Sequence, residues 1–464
     1  METKNTDLAV LGGGPGGYVA AIRAAKLGVK TMVIEKENLG GVCLNWGCIP
    51  TKALYHVAQT IDEIKKADIF GINISGWNLD FKKAMDRKDK VIAAQRQGLT
   101  FHFKKNNVEL VKGNGKLISS NKILVTGENG QEVEVIAKNI IIATGSHAAN
   151  VPPFNLEDEG VIDNIGILSL TAIPESLLIV GGGVIGSEFA NIFSTFGSSV
   201  TIVEMLPRIL STEDVEVSKV IAKAFGKKGI NVFTNSVIEE VKKDKGKFFC
   251  KIKGGDEIVA DKVLISVGRR PNSTGIGLEE IGVTIDERGF IKADSHLRTN
   301  IPNIYAVGDV NGGLQLAHVA SDEGKIAAEN ITGKDKTMDY RVIPWAVFTS
   351  PEIGTVGLNE EQARSKGINV CFGLFPFSNS GKAFITGETE GFVKVVTDKD
   401  SGEILGAQMV GPRCSDLVHE VAVAMKGEMV VDTLAETVHS HPTLSEAVME
   451  AAEDCFGIAT HITR

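Results

Sequence analysis

The run of apolar and polar positions divides the chain into strand, turn, helix and strand units that recur. Asp7 to Leu11 reads as a short apolar strand, Gly12-Gly13-Gly14-Pro15-Gly16-Gly17 as a turn, and the stretch to about Leu27 as a helix leading to a second strand that ends at Glu35. The same order returns in Leu177 to Val180, Gly181-Gly182-Gly183-Val184-Ile185-Gly186, a helix to about Phe196 and a strand ending at Glu204. In both copies the glutamate follows the first glycine by 23 positions. Three further apolar strands run into short polar segments: Asn139 to Ala143 into Thr144-Gly145, Lys262 to Val267 into Gly268-Arg269-Arg270-Pro271, and Asn303 to Val307 into Gly308-Asp309. Phe248 to Val259 alternates as a hairpin or small meander does. From about Arg341 the style changes. Trp345 to Val356, Phe372 to Phe377, Phe392 to Val396 and Ile404 to Val410 read as strands, with a turn at Thr397 to Gly402, and Ser415 to Lys426 and Ser445 to Cys455 read as helices. The expected fold is α/β, with two Rossmann-like units followed by a separate C-terminal α+β domain.

The most informative local segment is Gly40 to Lys52, which carries Cys43 and Cys48. On an unbroken helix these residues would differ by roughly 140° and lie about 8 to 9 Å apart at Cα, outside disulfide reach. A bridge therefore requires Cys43 to sit before the helix or in a distorted first turn. Gly47 and Pro50 place a helix start near Cys48, where the free N–H groups and the helix dipole stabilise a thiolate. Lys52, four residues on, lies over the same face. A zinc ligand pair and two buried free thiols are the alternatives; zinc usually wants a two-residue spacer and a second ligand pair.

The two glycine turns allow a backbone to approach a pyrophosphate at a helix N-terminus, and the terminal glutamates can accept hydrogen bonds from an adenosine ribose. Gly12, Gly14, Gly17 and Glu35, which precede the cysteines, suit FAD. Gly181, Gly183, Gly186 and Glu204 then suit a nicotinamide cofactor, and Glu204 disfavours the 2′-phosphate of NADP; Arg208 in the same loop is a compensating cation. Thr144, Gly145 and Gly268 close these units, and Asp309 at a strand end can hold the ribityl or phosphate part of FAD. An aspartate there is also an ordinary turn residue.

Composition adds limits. The chain has 464 residues, enough for several domains, a net charge of −9 that argues against a general nucleic-acid or anionic-membrane surface, and six cysteines, four of them scattered at 250, 371, 414 and 455. The N-terminal residues run directly into a strand, with no apolar signal core and no apolar run of membrane-spanning length, so the cytoplasm is the expectation. His441 before Pro442, with Glu446 in the next helical turn, reads either as a helix cap or as an imidazole oriented by a carboxylate and used on a thiol. His439 would suggest a metal only with a third ligand, and none is evident, so no metal is expected.

Together these residues resemble the flavin-dependent pyridine nucleotide-disulfide oxidoreductases over essentially the whole chain. The resemblance implies a Cys43–Cys48 redox disulfide beside FAD, with Cys48 facing the flavin and Cys43 exchanging with substrate. It implies His441 as the base with Glu446 as its orienting partner, and Lys52 paired with Glu188. Trp46 is a modest departure, standing where the family often has a smaller apolar residue. The implied reaction is oxidation of protein-bound dihydrolipoyl groups by NAD⁺, with the lipoyl domain of an acyltransferase or a glycine-cleavage carrier as partner. A homodimer is implied, with His441 reaching Cys43 of the other subunit. The implied domains are 1–147 (FAD, first part), 148–270 (NAD), 271–340 (FAD and central, second part) and 341–464 (dimerisation). A glutathione-type reductase would want cations where Glu204 stands, and a mercuric reductase an additional C-terminal cysteine pair. A non-catalytic flavoprotein subunit has no need of Cys43, Cys48 and His441 together.

Overall fold

The computed structural model describes residues 1–463. Apolar five-residue runs such as Thr31–Glu35, buried throughout, belong to strands covered on both faces. The first sheet sets Glu109–Lys112, Thr31–Glu35, Glu2–Leu11 and Glu132–Ile142 side by side in parallel, and Ile304–Ala306 joins the far edge of Glu132–Ile142. Register runs Leu8 to Thr31 and Leu11 to Ile34, so the Gly12 turn emerges at the C-terminal edge of the sheet. The strands Asn114–Ser119 and Lys122–Thr126 extend this sheet antiparallel.

A second parallel sheet has the order Asn231–Phe233, Ser199–Val203, Ser176–Val180, Lys262–Ile265, Val161–Ile162. A three-stranded meander, Ile238–Asp244, Lys247–Ile252 and Glu257–Ala260, packs beside it. The strand expected over Lys262 to Val267 stops at Ile265, because the Ser266 hydroxyl turns back onto the carbonyls of Val180 and Gly181. The chain crosses between the two units twice, and the crossings pair with each other: Ser146–Ala148 runs antiparallel to Arg269–Pro271.

The C-terminal sheet is wholly antiparallel, ordered Pro344–Val347, Glu352–Gly357, Ile404–Gly411, Phe392–Asp398, Val370–Pro376. Here the structure corrects the reading of Trp345 to Val356 as one strand. The chain reverses around Thr349-Ser350-Pro351, where proline has no N–H for a ladder, and the two halves pair as a hairpin. The helices Cys414–Lys426 and Glu446–Asp454 pack on this sheet. The scattered cysteines are closer than their numbers suggest, with Cys371 Sγ lying 3.3 Å from the carbonyl of Cys455.

Polar contacts tie the C-terminal domain to the second sheet unit. Glu213, almost fully buried, accepts from Trp345 Nε1 and Thr355 Oγ1, both at 2.8 Å, and burial raises its carboxyl above the ordinary range. The buried Lys394 ammonium meets Asp214, Glu216 and Glu360 within 3.3 Å. Opposite charge on three sides lets an amine stay buried and ionised.

The nucleotide-site end of the first sheet is fixed by close helix packing. Helix Pro15–Lys26 crosses helix Ala317–Ile331 so closely that a Cβ on Gly324 would stand 2.3 Å from the Gly16 carbonyl oxygen. Gly324→Ala is expected to destabilise the protein by roughly 1–3 kcal/mol through forced separation of the helices. Gly98→Ala, on an exposed helical position with nothing within 4 Å, is expected to stabilise by about 0.5–1 kcal/mol. Thermal unfolding of both variants checks the pair; an undiminished midpoint for Gly324→Ala would contradict the close contact.

Candidate active site

The cysteines lie on two helices rather than one. Cys43 belongs to Gly41–Trp46 and Cys48 opens Cys48–Lys65, with the break at Gly47. A Cβ on Gly47 would stand 3.1 Å from the Val42 carbonyl oxygen and 3.4 Å from the Cys43 Cα, so glycine lets the second helix fold back beside the first. Asn45, 3 % exposed, fastens this bend: its amide donates to the carbonyls of Leu39 (3.1 Å) and Gly41 (2.8 Å), and its oxygen accepts from Arg96 Nε. Asn164 donates to the Trp46 carbonyl at 2.7 Å, and Thr51 Oγ1 to that of Gly47 at 2.6 Å. Arg96 comes from helix Phe81–Lys105 and Asn164 from the second sheet unit.

The same segment sits directly on the first glycine turn. Gly40 N donates to the Gly13 carbonyl at 2.8 Å, and a Cβ on Gly41, whose φ is +57°, would stand 2.6 Å from the Gly14 Cα. Only glycine permits both that approach and that backbone. Whatever lies along Gly12 to Gly17 is therefore brought next to the sulfurs.

Both thiols are free, and the Cys43 S–H donates to Cys48. That bond is the first cause holding the Cys48 thiol down at about 7; burial opposes it, and Lys52 adds attraction for the thiolate. Cys43 moves up, as the donor in that bond and through burial. The pair is thus polarised, with the negative charge on Cys48. Lys52 Nζ is 2.8 Å from both carboxylate oxygens of Glu188 and lies 4.6 Å from the centroid of the Phe348 ring. Glu188, 5 % exposed, also accepts from Phe348 N at 3.0 Å, so one ion pair joins three parts of the chain.

The two glutamates that end the repeated units occupy equivalent positions. Glu35 Oε2 accepts from Gly13 N and Oε1 from Glu37 N, both at 2.7 Å; Glu204 Oε2 accepts from Gly182 N at 2.6 Å and Oε1 from Leu206 N at 2.8 Å. Arg208, the compensating cation considered above, turns away into its own loop, where Nη2 donates to the carbonyls of Ser211 (3.0 Å) and Glu213 (3.4 Å).

Around the crossing, Thr144 and Gly145 bond to Asn272, which donates through its side chain to the Thr144 carbonyl at 2.9 Å and through its backbone to that of Gly145 at 2.9 Å. Gly268, with φ +120°, accepts from Ala149 N. Asp309 accepts from the Ser146 hydroxyl, and Ser146 receives Arg269 Nε at 2.7 Å. Glu323, 1 % exposed, supports Asp309 from behind by accepting from Gly308 N at 2.6 Å and Tyr340 at 2.6 Å.

The histidine lies on the C-terminal domain. Nδ1 of His441 is 2.8 Å from Glu446 Oε1, and Glu446 Oε2 accepts from Thr443 N at 2.8 Å. Burial works against ionisation of Glu446, yet the Thr443 N–H and His441 together hold its carboxyl below the ordinary value. The His441 side chain is itself 78 % exposed. His439 Nε2 pairs with Glu420, and among the described residues no group of three His, Cys, Asp or Glu that could hold a metal ion occurs.

Two glycine-turn units, a polarised thiol pair on the first of them and an exposed imidazole–carboxylate pair define a thiol oxidoreductase architecture with two nucleotide sites. Comparisons narrow the class. The family model for pyridine nucleotide-disulphide oxidoreductases matches residues 6–324, and that for their dimerisation domain matches residues 343–452. The chain therefore belongs to the pyridine nucleotide-disulphide oxidoreductases, a FAD-dependent family whose C-terminal domain forms homodimers. It is 42 % identical to the dihydrolipoyl dehydrogenase of Chlamydia muridarum over 96 % of each chain. It is also 42 % identical to that of Bacillus subtilis, over 99 % of this chain and 98 % of the other. Among solved structures it is similar to LpdA from Mycobacterium tuberculosis (TM-score 0.91, 28 % identity, 97 % of this chain and 99 % of the other). It is similar as well to the HOCl-induced flavoprotein disulfide reductase RclA from Escherichia coli (TM-score 0.87, 29 % identity, 96 % and 99 %).

The residues present fit the cofactors. Neither Gly14 nor Gly183 receives a side-chain cap, so the first-turn N–H groups of both helices remain available to a pyrophosphate, and a Cβ on Gly183 would meet nothing within 4 Å. Each buried glutamate oxygen makes one backbone bond and keeps a lone pair for a ribose hydroxyl. In reduced holoenzyme the thiolate-dependent long-wavelength absorbance is expected to titrate with a midpoint near 7, gained as pH rises. Lys52→Met is expected to raise that midpoint by roughly one unit through loss of the neighbouring cation. A midpoint unmoved by the substitution would remove Lys52 from the account of Cys48.

Proposed function

We propose that this protein is a dihydrolipoyl dehydrogenase, oxidising lipoyl-bound dithiols with NAD⁺ through a Cys43–Cys48 disulfide. The observation that carries the reading is the thiol pair folded together at the Gly47 break, with Cys48 opening a helix, Lys52 one turn on and Gly40 bonded to the first glycine turn. Dihydrolipoyl dehydrogenases 42 % identical over nearly the full length supply the substrate class.

Each step falls to a residue placed above. Neutral His441, its Nδ1–H held by Glu446, takes a proton at Nε2 from one substrate thiol. The substrate thiolate attacks Cys43 Sγ, the Cys43–Cys48 bond breaks, and Cys48 leaves as the thiolate that its surroundings favour. The second substrate thiol attacks the mixed disulfide, which closes the lipoyl disulfide and frees Cys43. Bound FAD supplies the two-electron relay from the cysteine pair to NAD⁺, so that dithiol and NAD⁺ yield disulfide, NADH and a proton. Gly12, Gly14, Gly17, Glu35, Thr144, Gly145 and Asp309 would hold FAD; Gly181, Gly183, Gly186, Glu204 and Gly268 would hold NAD.

His441 is too exposed in one chain to work alone, and we read its partner cysteine as the other subunit's. The division at 147, 270 and 340 follows the two paired crossings and the change to an antiparallel sheet. The macromolecular partner is the lipoyl domain of an acyltransferase or of a glycine-cleavage carrier. The compartment is the cytoplasm; among the described residues no helix is long and apolar enough to cross a membrane.

Steady-state turnover tests the reading. Dihydrolipoamide with NAD⁺ is expected to exceed glutathione disulfide with NADPH by at least roughly a hundredfold in kcat/KM, since the wrong pair loses several kcal/mol of matched contacts. NADP⁺ is expected to be poor because its phosphate meets Glu204, with Arg208 committed elsewhere. Equal efficiency with NADP⁺, or faster glutathione disulfide reduction, would contradict the proposal.

A further inference from the structure

The loop that carries His441 contains a second histidine that the reaction above does not use. From Thr437 to Pro442 the chain has no helix or strand, and His439 alone among these six residues is not exposed. Its side chain is 7 % exposed, against 78 % for His441 two residues away. Nε2 of His439 lies 2.5 Å from Glu420 Oε1 on helix Cys414–Lys426, and Nδ1 lies 2.7 Å from the Thr437 carbonyl oxygen.

The Thr437 carbonyl and the Glu420 carboxyl thus hold the two ring nitrogens from opposite sides. The loop is tied at one end by this buried ring and at the other by Thr443 N on Glu446. Between the two anchors Thr443 Oγ1 donates to the Ser440 carbonyl at 2.7 Å.

We propose that His439, clamped between Glu420 and the Thr437 carbonyl, is a positioning residue that fixes the loop carrying His441. The inference rests on His441 being the thiol base.

The test uses the full-length holoenzyme and two reactions. One is dihydrolipoamide oxidation by NAD⁺, which needs the base. The other is NADH oxidation by an artificial quinone acceptor, which does not. For His439→Gln, dihydrolipoamide oxidation is expected to fall roughly tenfold or more from misplacement of the base. The loss is expected in kcat rather than KM for dihydrolipoamide, while bound FAD and the quinone reaction stay within about twofold of wild type, since neither depends on the loop. Glu420→Gln, on a different element, is expected to lower the dithiol reaction selectively. An unchanged dithiol rate in His439→Gln overturns the inference, and so does equal loss of both reactions, which would make His439 a folding residue only. The parent reading fails separately if His441→Gln keeps full dithiol oxidation, and that result removes this inference with it.

Discussion

Cys43 and Cys48 are five positions apart, a separation that an unbroken helix would turn into roughly 8 to 9 Å between Cα atoms. The chain instead breaks at Gly47, and the second helix folds back beside the first. The rest of the site depends on that bend. Folding back leaves Cys48 at the first position of helix Cys48–Lys65, where its thiolate is favoured, and puts Lys52 one turn behind it. It also sets Gly40 and Gly41 against Gly13 and Gly14, which couples the sulfurs to a nucleotide turn. The bend is fastened by its own Asn45 and held from outside by Asn164 and Arg96.

The charges form a consistent chain from the thiol pair to the domain interfaces. Lys52 serves Cys48 on one side and Glu188 on the other, and Glu188 reaches the backbone of Phe348 in the C-terminal domain. Glu213 and Lys394 join the same domain to the second nucleotide unit. The thiol pair, the second nucleotide unit and the dimerisation domain are thereby fixed relative to one another, as thiol exchange at one end and nucleotide reduction at the other require. His441 stands apart from this network on an exposed loop.

Much of this was legible in the sequence because it is local. The paired glycine turns with Glu35 and Glu204, the cysteine spacing and the His441–Glu446 pair each lie within about twenty residues of chain, where periodicity and turn chemistry act. What could not be read is carried by contacts remote in sequence. Asn45 looks like a turn residue until Arg96 arrives from a helix 51 positions away, and the Lys52–Glu188 pair, 136 positions apart, is expected from the family resemblance and from no local pattern. Asn272 and Ser146 matter only because two crossings pair. Trp345 to Val356 misled for a different reason: both halves are strands, and one proline between them decides the reversal. Arg208 was correctly noticed as a cation near Glu204, but its loop consumes it.

In the proposed reading the thiol pair of one chain and the histidine of the other make one active site. Co-refolding Cys43→Ser with His441→Ala tests it directly. In a mixed dimer a shared arrangement gathers both lesions into one site and leaves the other whole. With random pairing about half the dimers are mixed, so roughly a quarter of wild-type dihydrolipoamide oxidation should return. No recovery in verified mixed dimers that contain bound FAD would contradict the shared site.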